Sequence, residues 1–428
     1  MNRRVRFLDT RPLRRSRPFR DLWIGTSASQ LGSQIATVAV LAQVWDLTGS
    51  TVGTGAIGLA TGLSMVLFGL LGGTLADSVD RRALVRAITA GQLLVAAGLS
   101  IQAVAGNRNV VLLLALVAAG TACGALGAPA RRTFPVRLLP ADQVAAGLAL
   151  TNVSFQAAML AGPALAGLII ARWDLPAAYG AQAVTTVVSV LAVIRLPVMK
   201  PEGADTNFTR RRPERGGWRI VLRRPTLWGS MATDLSATLL AMPIALFPLV
   251  NEIRFGGNPQ TLGLFLSAVA VGGIAAGFLS GTVTRWRRGG LVQLCAAAVW
   301  GLALAGFGLS GPLWPALGCL AVAGAADTVS VVRRSALVQL ETPDAYRGRV
   351  SSLEHVIGVA GPELGNFRGG LMASATSAPF ALVTGGLSAT LAVAAVAATN
   401  ASLRAYRTPP TPDEPTAPET VDAATVTG

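Results

Sequence analysis

Apolar residues in this chain are gathered into long runs, with most charged positions held in the gaps between them. Twelve runs stand out, at 22–44, 52–76, 84–105, 110–130, 144–171, 177–196, 227–250, 262–284, 291–309, 313–332, 350–373 and 378–399. At a rise of about 1.5 Å per residue, roughly twenty residues cross the ~30 Å hydrocarbon layer of a bilayer, so each run has the length of a spanning helix. An open sheet would leave backbone groups unpaired in lipid, and a barrel would need short alternating segments that the chain lacks. The predicted class is therefore an all-α membrane protein of twelve transmembrane helices, with the lipid bilayer as its first partner.

Composition points the same way. Of 428 residues, 52% are hydrophobic and 13% are charged, a balance foreign to soluble domains. The net charge of +15 would suit nucleic acid if the cations formed one surface, but they fall in short clusters between runs, and no nucleic-acid partner is expected. With both termini in the cytoplasm, 32 of the 36 Lys and Arg residues lie in inside segments; Arg108, Arg172 and Arg254 fall outside, and Arg368 falls within a run. Cytoplasmic loops retain such cations, so a multi-pass protein of the inner membrane with both ends inside is expected. The basic segment 1–20 could head a signal peptide, yet the apolar run behind it is too long for a signal core, which favours an uncleaved first helix. The Pro-, Thr- and acid-rich segment 401–428 has no apolar period and is expected to be a disordered cytoplasmic tail. Cys123, Cys295 and Cys319 lie within runs, at spacings suited to neither a metal nor a disulfide, and read as buried thiols.

The second half of the chain echoes the first. Arg131 and Arg132 after the fourth run and Arg333 and Arg334 after the tenth are 202 positions apart, as are Asp142 and Asp344, while the Gly-Pro pairs beginning at Gly162 and Gly361 are 199 apart. Two pseudo-symmetric six-helix bundles are predicted, at 21–196 and 226–400, with a basic tail at 1–20 and a cytoplasmic linker at 197–225.

One gap is unusually charged. The stretch GGTLADSVDRR, from Gly72 to Arg82, holds two acids and two arginines within six residues. Asp77 closes the second run at a helix C-terminus, where its charge opposes the dipole and calls for Arg81, Arg82, Arg131 or another helix's N-terminus. A merely solvated, positive-inside turn is the alternative. With Gly73, Leu75, Ala76, Asp77, Arg81 and Arg82 in register, the stretch resembles the loop signature G-x-L-A-D-R-x-G-R-[KR] of the major facilitator superfamily of secondary transporters, with Ser78 in place of the usual cation and Asp80 in place of the usual Gly. The segments GAPARR…LP-AD and RRSA…TPD-x-x-RGRVSSL resemble more specifically the bacterial enterobactin-exporter-like and macrolide-efflux-like permeases. This resemblance implies the major facilitator fold, alternating access, and a cytoplasmic gate formed by Gly73, Asp77, Asp80, Arg81, Arg82 and Arg131, with Asp77 bracing the start of the eleventh helix when the inside is shut.

Ionisable groups within runs are costly and are therefore functional candidates. Asp234 lies in the seventh run, Glu363 in the eleventh, and Arg368 five positions beyond Glu363. Facing a cavity, either acid could exchange protons or hold a cationic substrate; the alternative for each is a fixed ion pair, with Arg368 the obvious partner of Glu363. Gln30 and Gln34 stand one turn apart, and Asn152 and Gln156 repeat the spacing in the fifth run. The resemblance puts the first helix beside the cavity and the fifth at its flank, making these four candidate substrate hydrogen-bonders, with helix-to-helix packing as the alternative. Gly162, Pro163 and Gly167 resemble the Gly-Pro motif of exporters in this superfamily, with the proline expected to kink the fifth helix.

The function expected is secondary active transport by alternating access: proton-coupled export of a small amphiphilic organic molecule such as a drug, macrolide or siderophore-like compound. Uptake of a small metabolite is the nearest alternative, and a non-transporting membrane receptor is a reading from another class. Catalysis is not expected, because the sequence holds no nucleophile and base pair, metal-ligand cluster or phosphate loop, and His355 is its lone histidine. No cofactor is expected, and a monomer is.

Overall fold

The computed structural model describes residues 9–196, 217–284, 286–343 and 346–407, and every regular element among them is helical. The long elements are α1 (Arg17–Thr48), α2 (Thr51–Ser78), α3 (Arg81–Val104), α4 (Val110–Leu138), α5 and α6 (141–173 and 175–194), α7 (Pro225–Phe255), α8 (Pro259–Thr284), α9 (Gly289–Leu309), α10 (Leu313–Glu341), α11 (Arg347–Ala375) and α12 (Ala378–Thr399). Among the described residues, nine helices are long and apolar enough to cross a membrane. One of them, the 54-residue Ala141–Ile194, holds both α5 and α6, while α1 and α11, at 32 and 29 residues, are long enough but more polar. The arrangement is consistent with twelve crossings.

Local sequence sets the helix ends. Ser16, Ser50, Asp80, Asn109 and Ser377 each accept a first-turn backbone N–H, of α1, α2, α3, α4 and α12 respectively, satisfying donors that a helix cannot pair internally. Gly49, at φ 56°, lets α1 turn directly into α2. Pro163 leaves α5 helical; the residue that breaks the segment is Asp174, whose φ of 64° and ψ of 179° side-chain-bearing residues seldom adopt.

Two helices outrun their apolar stretches. α4 continues to Leu138 and α10 to Glu341, so Arg131, Arg333 and Arg334 are helical residues and not the loop cations expected. Each guanidinium is drawn inward by acceptors: Arg131 donates to Thr89 and Gln92 of α3 at 3.0 and 2.9 Å, and Arg333 donates to the Trp286 carbonyl at 3.0 Å. The expected C-terminal tail also begins folded, since Ala401–Ala405 is a short helix whose Leu403 is buried against Gly290. Residues 1–8, 197–216 and 408–428 lie outside the described residues.

Close packing groups α1–α6 and α7–α12 into two bundles. In the first, Gly25 and Gly32 of α1 admit Ala192 and Thr185 of α6, and Tyr179 and Gln102 converge on Gln43 in a buried amide and phenol network, with bonds of 2.7 to 3.0 Å. In the second, Ser230 of α7 and Gln293 of α9 exchange bonds of 2.8 and 3.0 Å, and Phe247, Phe255 and Phe307 meet Phe265 edge to face. Ser16 bonds to Leu138 and Asn400 to Pro225, so the two chain ends lie at one end of the molecule, here the terminal end. Leu94, Val111, Phe278 and Trp314 are at least 75% exposed on its flanks, as side chains facing lipid would be.

Candidate functional site

The bundles meet along two seams, α2 against α11 and α5 against α8, and glycine makes both possible. At α2/α11, a Cβ on Gly58 would lie 2.6 Å from the Glu363 carbonyl oxygen, and one on Gly55 would lie 3.1 Å from the Phe367 backbone. Gly370 is pressed on the Thr51 carbonyl, while the Thr51 hydroxyl donates to the Gly370 carbonyl at 2.7 Å. At α5/α8, Gly167 lies against Pro259 and Gln260, Gly263 against the Pro163 carbonyl, and Ser267 donates to Leu160 at 2.9 Å. Thus Pro163 and Gly167 of the export-type motif form an inter-bundle contact, while Gly162 admits Gln34 of α1. All these contacts sit in the half remote from the terminal end, where the bundles also leave a cavity of about 410 Å³ bordered by Asp46, Asp174, Glu252 and Pro259.

Glu363 is packed into the α2/α11 seam. Its carboxyl lies near the side chains of Thr61 of α2 and Asn366 of α11, and its stem fills the space left by Gly62. Arg368 does not pair with it. Pro243 interrupts α7, which runs as a helix to Ala241, a short 3-10 turn at Ile244–Leu246, and a second helix, Phe247–Phe255. The missing proline N–H leaves the Leu239 carbonyl bare, and Arg368 fills the vacancy, donating from Nε to Leu239 at 2.8 Å and from a second nitrogen to Leu240. Across the same break, Asn366 accepts the Ala245 N–H at 3.2 Å and Thr54 of the other bundle donates to the Ala245 carbonyl at 2.7 Å.

Asp234 sits in the terminal half of α7, 4% exposed, in an ion pair with Arg334 of α10. Arg334 also reaches Glu354 of α11 at 3.2 Å, whose carboxylate accepts from Ser335 at 2.9 Å. Asp327 is close enough to feel both Asp234 and Arg334. One guanidinium thus faces three acids, and a proton or cation can supply the charge it leaves uncompensated. The sequence marked Arg334 only as a loop cation of the internal repeat and not as a partner for Asp234; the available signal was that Asp327 and Arg334, seven residues apart, share a helical face.

Three cavities adjoin. One of about 370 Å³ is lined by Ser29, Ser33 and Thr37 of α1, Thr61 and Met65 of α2, and Gln92 and Gln182. Met65 and Ala125 carry it into a second of about 400 Å³ between α2, α4 and α11. That one shares Ser351, His355 and Val359 with a third of about 310 Å³ beside Arg334 and Glu354. Thr61 therefore links the first chamber to Glu363, and His355 links the inter-bundle space to the ion-pair cluster.

The remaining expected residues are dispersed. Gln34 donates to the Met159 sulfur and packs on α5, the Gln30 carboxamide oxygen is buried and unpartnered, Asn152 is exposed and Gln156 half-buried; the α1 face lining the chamber is Ser29, Ser33 and Thr37 instead. Of the gate, Asp80 caps α3 by accepting from the Arg82 N–H at 2.9 Å, Arg81 is the first residue of that helix, and Arg131 is engaged with α3. The surroundings of Gly73 and the side chain of Asp77 lie outside what the structure describes.

The chain matches the transmembrane secretion effector family over residues 10–425. It belongs to that family, within the major facilitator superfamily. Enterobactin exporter EntS of Citrobacter koseri is 26% identical over 391 residues, spanning 90% of this chain and 92% of the relative, and EntS of Shigella flexneri is 26% identical over 388 residues at the same coverage. Among solved structures, a variant of the nucleoside transporter NupG superposes with a TM-score of 0.73 at 12% identity, covering 89% of this chain and 99% of its own. An inward-facing bacterial homologue of the iron transporter ferroportin superposes at 0.69 with 15% identity, covering 90% and 99%. This major facilitator protein is a multi-pass membrane transporter of small molecules.

Proposed function

We propose that this transporter exports a small amphiphilic organic molecule by alternating access, in exchange for protons. The observation that carries the reading is the run of cavities beginning between α2, α4 and α11 in the terminal half, set against two seams of close backbone contact in the opposite half. The distribution of arginines favours a cytoplasmic terminal end in the inner membrane, so the conformation described would be open to the cytoplasm. The bundles at 21–196 and 226–400 would rock about the seams as a monomer. Apart from His355, the two larger chambers are lined by hydroxyls, amides and apolar side chains, a setting for an amphiphile better than for a multiply charged metabolite. The names of the EntS relatives favour export and a siderophore-like cargo. Glu363 and the Asp234, Arg334 and Glu354 cluster are the groups assigned to proton exchange.

The test is flux into inverted vesicles with an acid interior, read with enterobactin and with a fluorescent amphiphilic dye. Gradient-dependent accumulation is expected. Accumulation only in right-side-out vesicles would instead favour uptake, and no flux of any probe together with tolerance of neutral replacements at Glu363 and Asp234 would favour a receptor.

A further inference from the structure

The lipid-facing side of α8, α9 and α10 carries a groove of about 800 Å³ that no step of transport uses. Its walls are small or branched apolar side chains, among them Ala276 of α8, Leu291, Cys295 and Val299 of α9, and Ala325 and Val329 of α10. At its terminal end the chemistry changes abruptly, to Trp286, Arg287 and Arg288, all exposed. From Arg288 to Val299 α9 climbs roughly 16 Å at 1.5 Å per residue, about half of a ~30 Å hydrocarbon core and so the depth of one leaflet. The groove opens among Phe278, Leu302 and Val322, which are 87%, 52% and 50% exposed.

The polar end is built and not merely loose. Arg333, 4% exposed, donates to the Trp286 carbonyl at 3.0 Å and so ties the turn to α10. α9 begins behind Arg288 with no side-chain cap, which points the positive end of its dipole to the same place. A water-borne ligand would find almost no hydrogen-bonding partner along the walls, and an apolar partner helix would leave Arg287 and Arg288 without a counter-charge. An indole at headgroup depth, two guanidinium groups and an apolar trough one leaflet deep fit a lipid whose phosphate carries net negative charge.

We propose that this groove holds one anionic phospholipid of the leaflet at the terminal end, its acyl chains against α8, α9 and α10 and its phosphate between Arg287 and Arg288. The test takes the full chain from vesicles of equal parts phosphatidylcholine and phosphatidylglycerol into detergent and reads retained lipid by native mass spectrometry. A retained phosphatidylglycerol, enriched roughly thirtyfold over phosphatidylcholine as two surface cations would give, is expected. Arg287→Gln with Arg288→Gln should erase that enrichment, and Cys295→Trp, which fills the trough, should lose retained lipid of either kind. In a chain with Cys123→Ala and Cys319→Ala, phosphatidylglycerol should also slow maleimide labelling of Cys295, a reading that requires no filled groove. Equal retention of the two lipids, enrichment that survives loss of both arginines, or labelling indifferent to phosphatidylglycerol would overturn the proposal.

Discussion

Arg368 of α11 donates from Nε to the carbonyl of Leu239 at 2.8 Å, the one acceptor in α7 that Pro243 deprives of its helical donor. A cation in the middle of a span is thereby accounted for as a backbone cap, placed where the dipole of the first half of α7 ends. The consequence reaches Glu363: its contacts are the neutral side chains of Thr61 and Asn366, so it can change charge without dissolving an ion pair.

If Arg368 serves the break, removing it should cost stability in proportion to the carbonyls it leaves bare. Arg368→Met is expected to destabilise the detergent-solubilised protein by about 1–3 kcal/mol, the penalty for an unsatisfied buried acceptor. Pro243→Ala restores an N–H to Leu239, and in the Arg368→Met background it should recover part of that loss. Thermal unfolding of the four chains forms a double-mutant cycle; additive effects, with no recovery, would show that the two residues act independently.

How far the sequence reached depends on what kind of signal each feature leaves. The apolar core of each helix follows from hydrocarbon thickness, a requirement written into every run, whereas the polar extensions of α4 and α10 do not. The α7 break was missed because the apolar run at 227–250 continues across Pro243 and Pro248, and apolarity alone does not register a lost donor. Arg334 was counted with loop cations because the rule that orients loops weighs arginines by position in the chain and not by the acids opposite them; Asp234 lying unpaired in a span was the clue that a cation had to be near. The Gln43, Gln102 and Tyr179 network was invisible for another reason: three single polar residues in three runs share no spacing. Gln30 and Gln34 stand one turn apart, but Gln34 turns to α5, because Gly162 leaves room for it there.

The seams should set the conformational balance. At Gly370 and Gly263 a Cβ would collide with the backbone carbonyls of Thr51 and Pro163, so Gly370→Val or Gly263→Val should part the bundles in the half away from the terminal end. Gly369, whose Cβ would meet its nearest atom, the Met242 carbonyl oxygen, at 3.4 Å, is the tolerant control. With the native cysteines replaced and Ala245→Cys as reporter, impermeant maleimide should label the two seam variants roughly tenfold faster than the control, the effect of about 1.4 kcal/mol on a two-state equilibrium. Equal labelling would remove these glycines from the closure.

The charge cluster should respond asymmetrically. Arg334→Gln strands Asp234 and Glu354 without their cation, and breaking such a buried pair costs about 3–5 kcal/mol. Asp234→Asn leaves Arg334 with Glu354, at 3.2 Å, and should cost less. The double variant should be more stable than Arg334→Gln alone. Unfolding midpoints in detergent decide this; equal losses from the two single variants would mean that Glu354 does not hold Arg334 when Asp234 is neutral.

Glu363 offers the sharpest separation of coupling from structure. It lies in the α2/α11 seam with its stem against Gly58 and Gly62, so its charge and the closing of that seam are bound together through Thr61. Glu363→Gln keeps the shape and the two polar neighbours, Thr61 and Asn366, while fixing the side chain in a neutral form. Exchange of labelled probe for unlabelled probe across vesicles at equal pH requires the carrier to cycle but needs no net proton movement, and should stay within about twofold of wild type, a change of under 0.5 kcal/mol. Accumulation driven by a pH gradient should be lost, because the carrier can no longer take up and release a proton at each turn. Should the variant instead follow the gradient as the wild type does, the coupling proton must ride on the Asp234, Arg334 and Glu354 cluster, and the same pair of assays on Asp234→Asn would then show the loss.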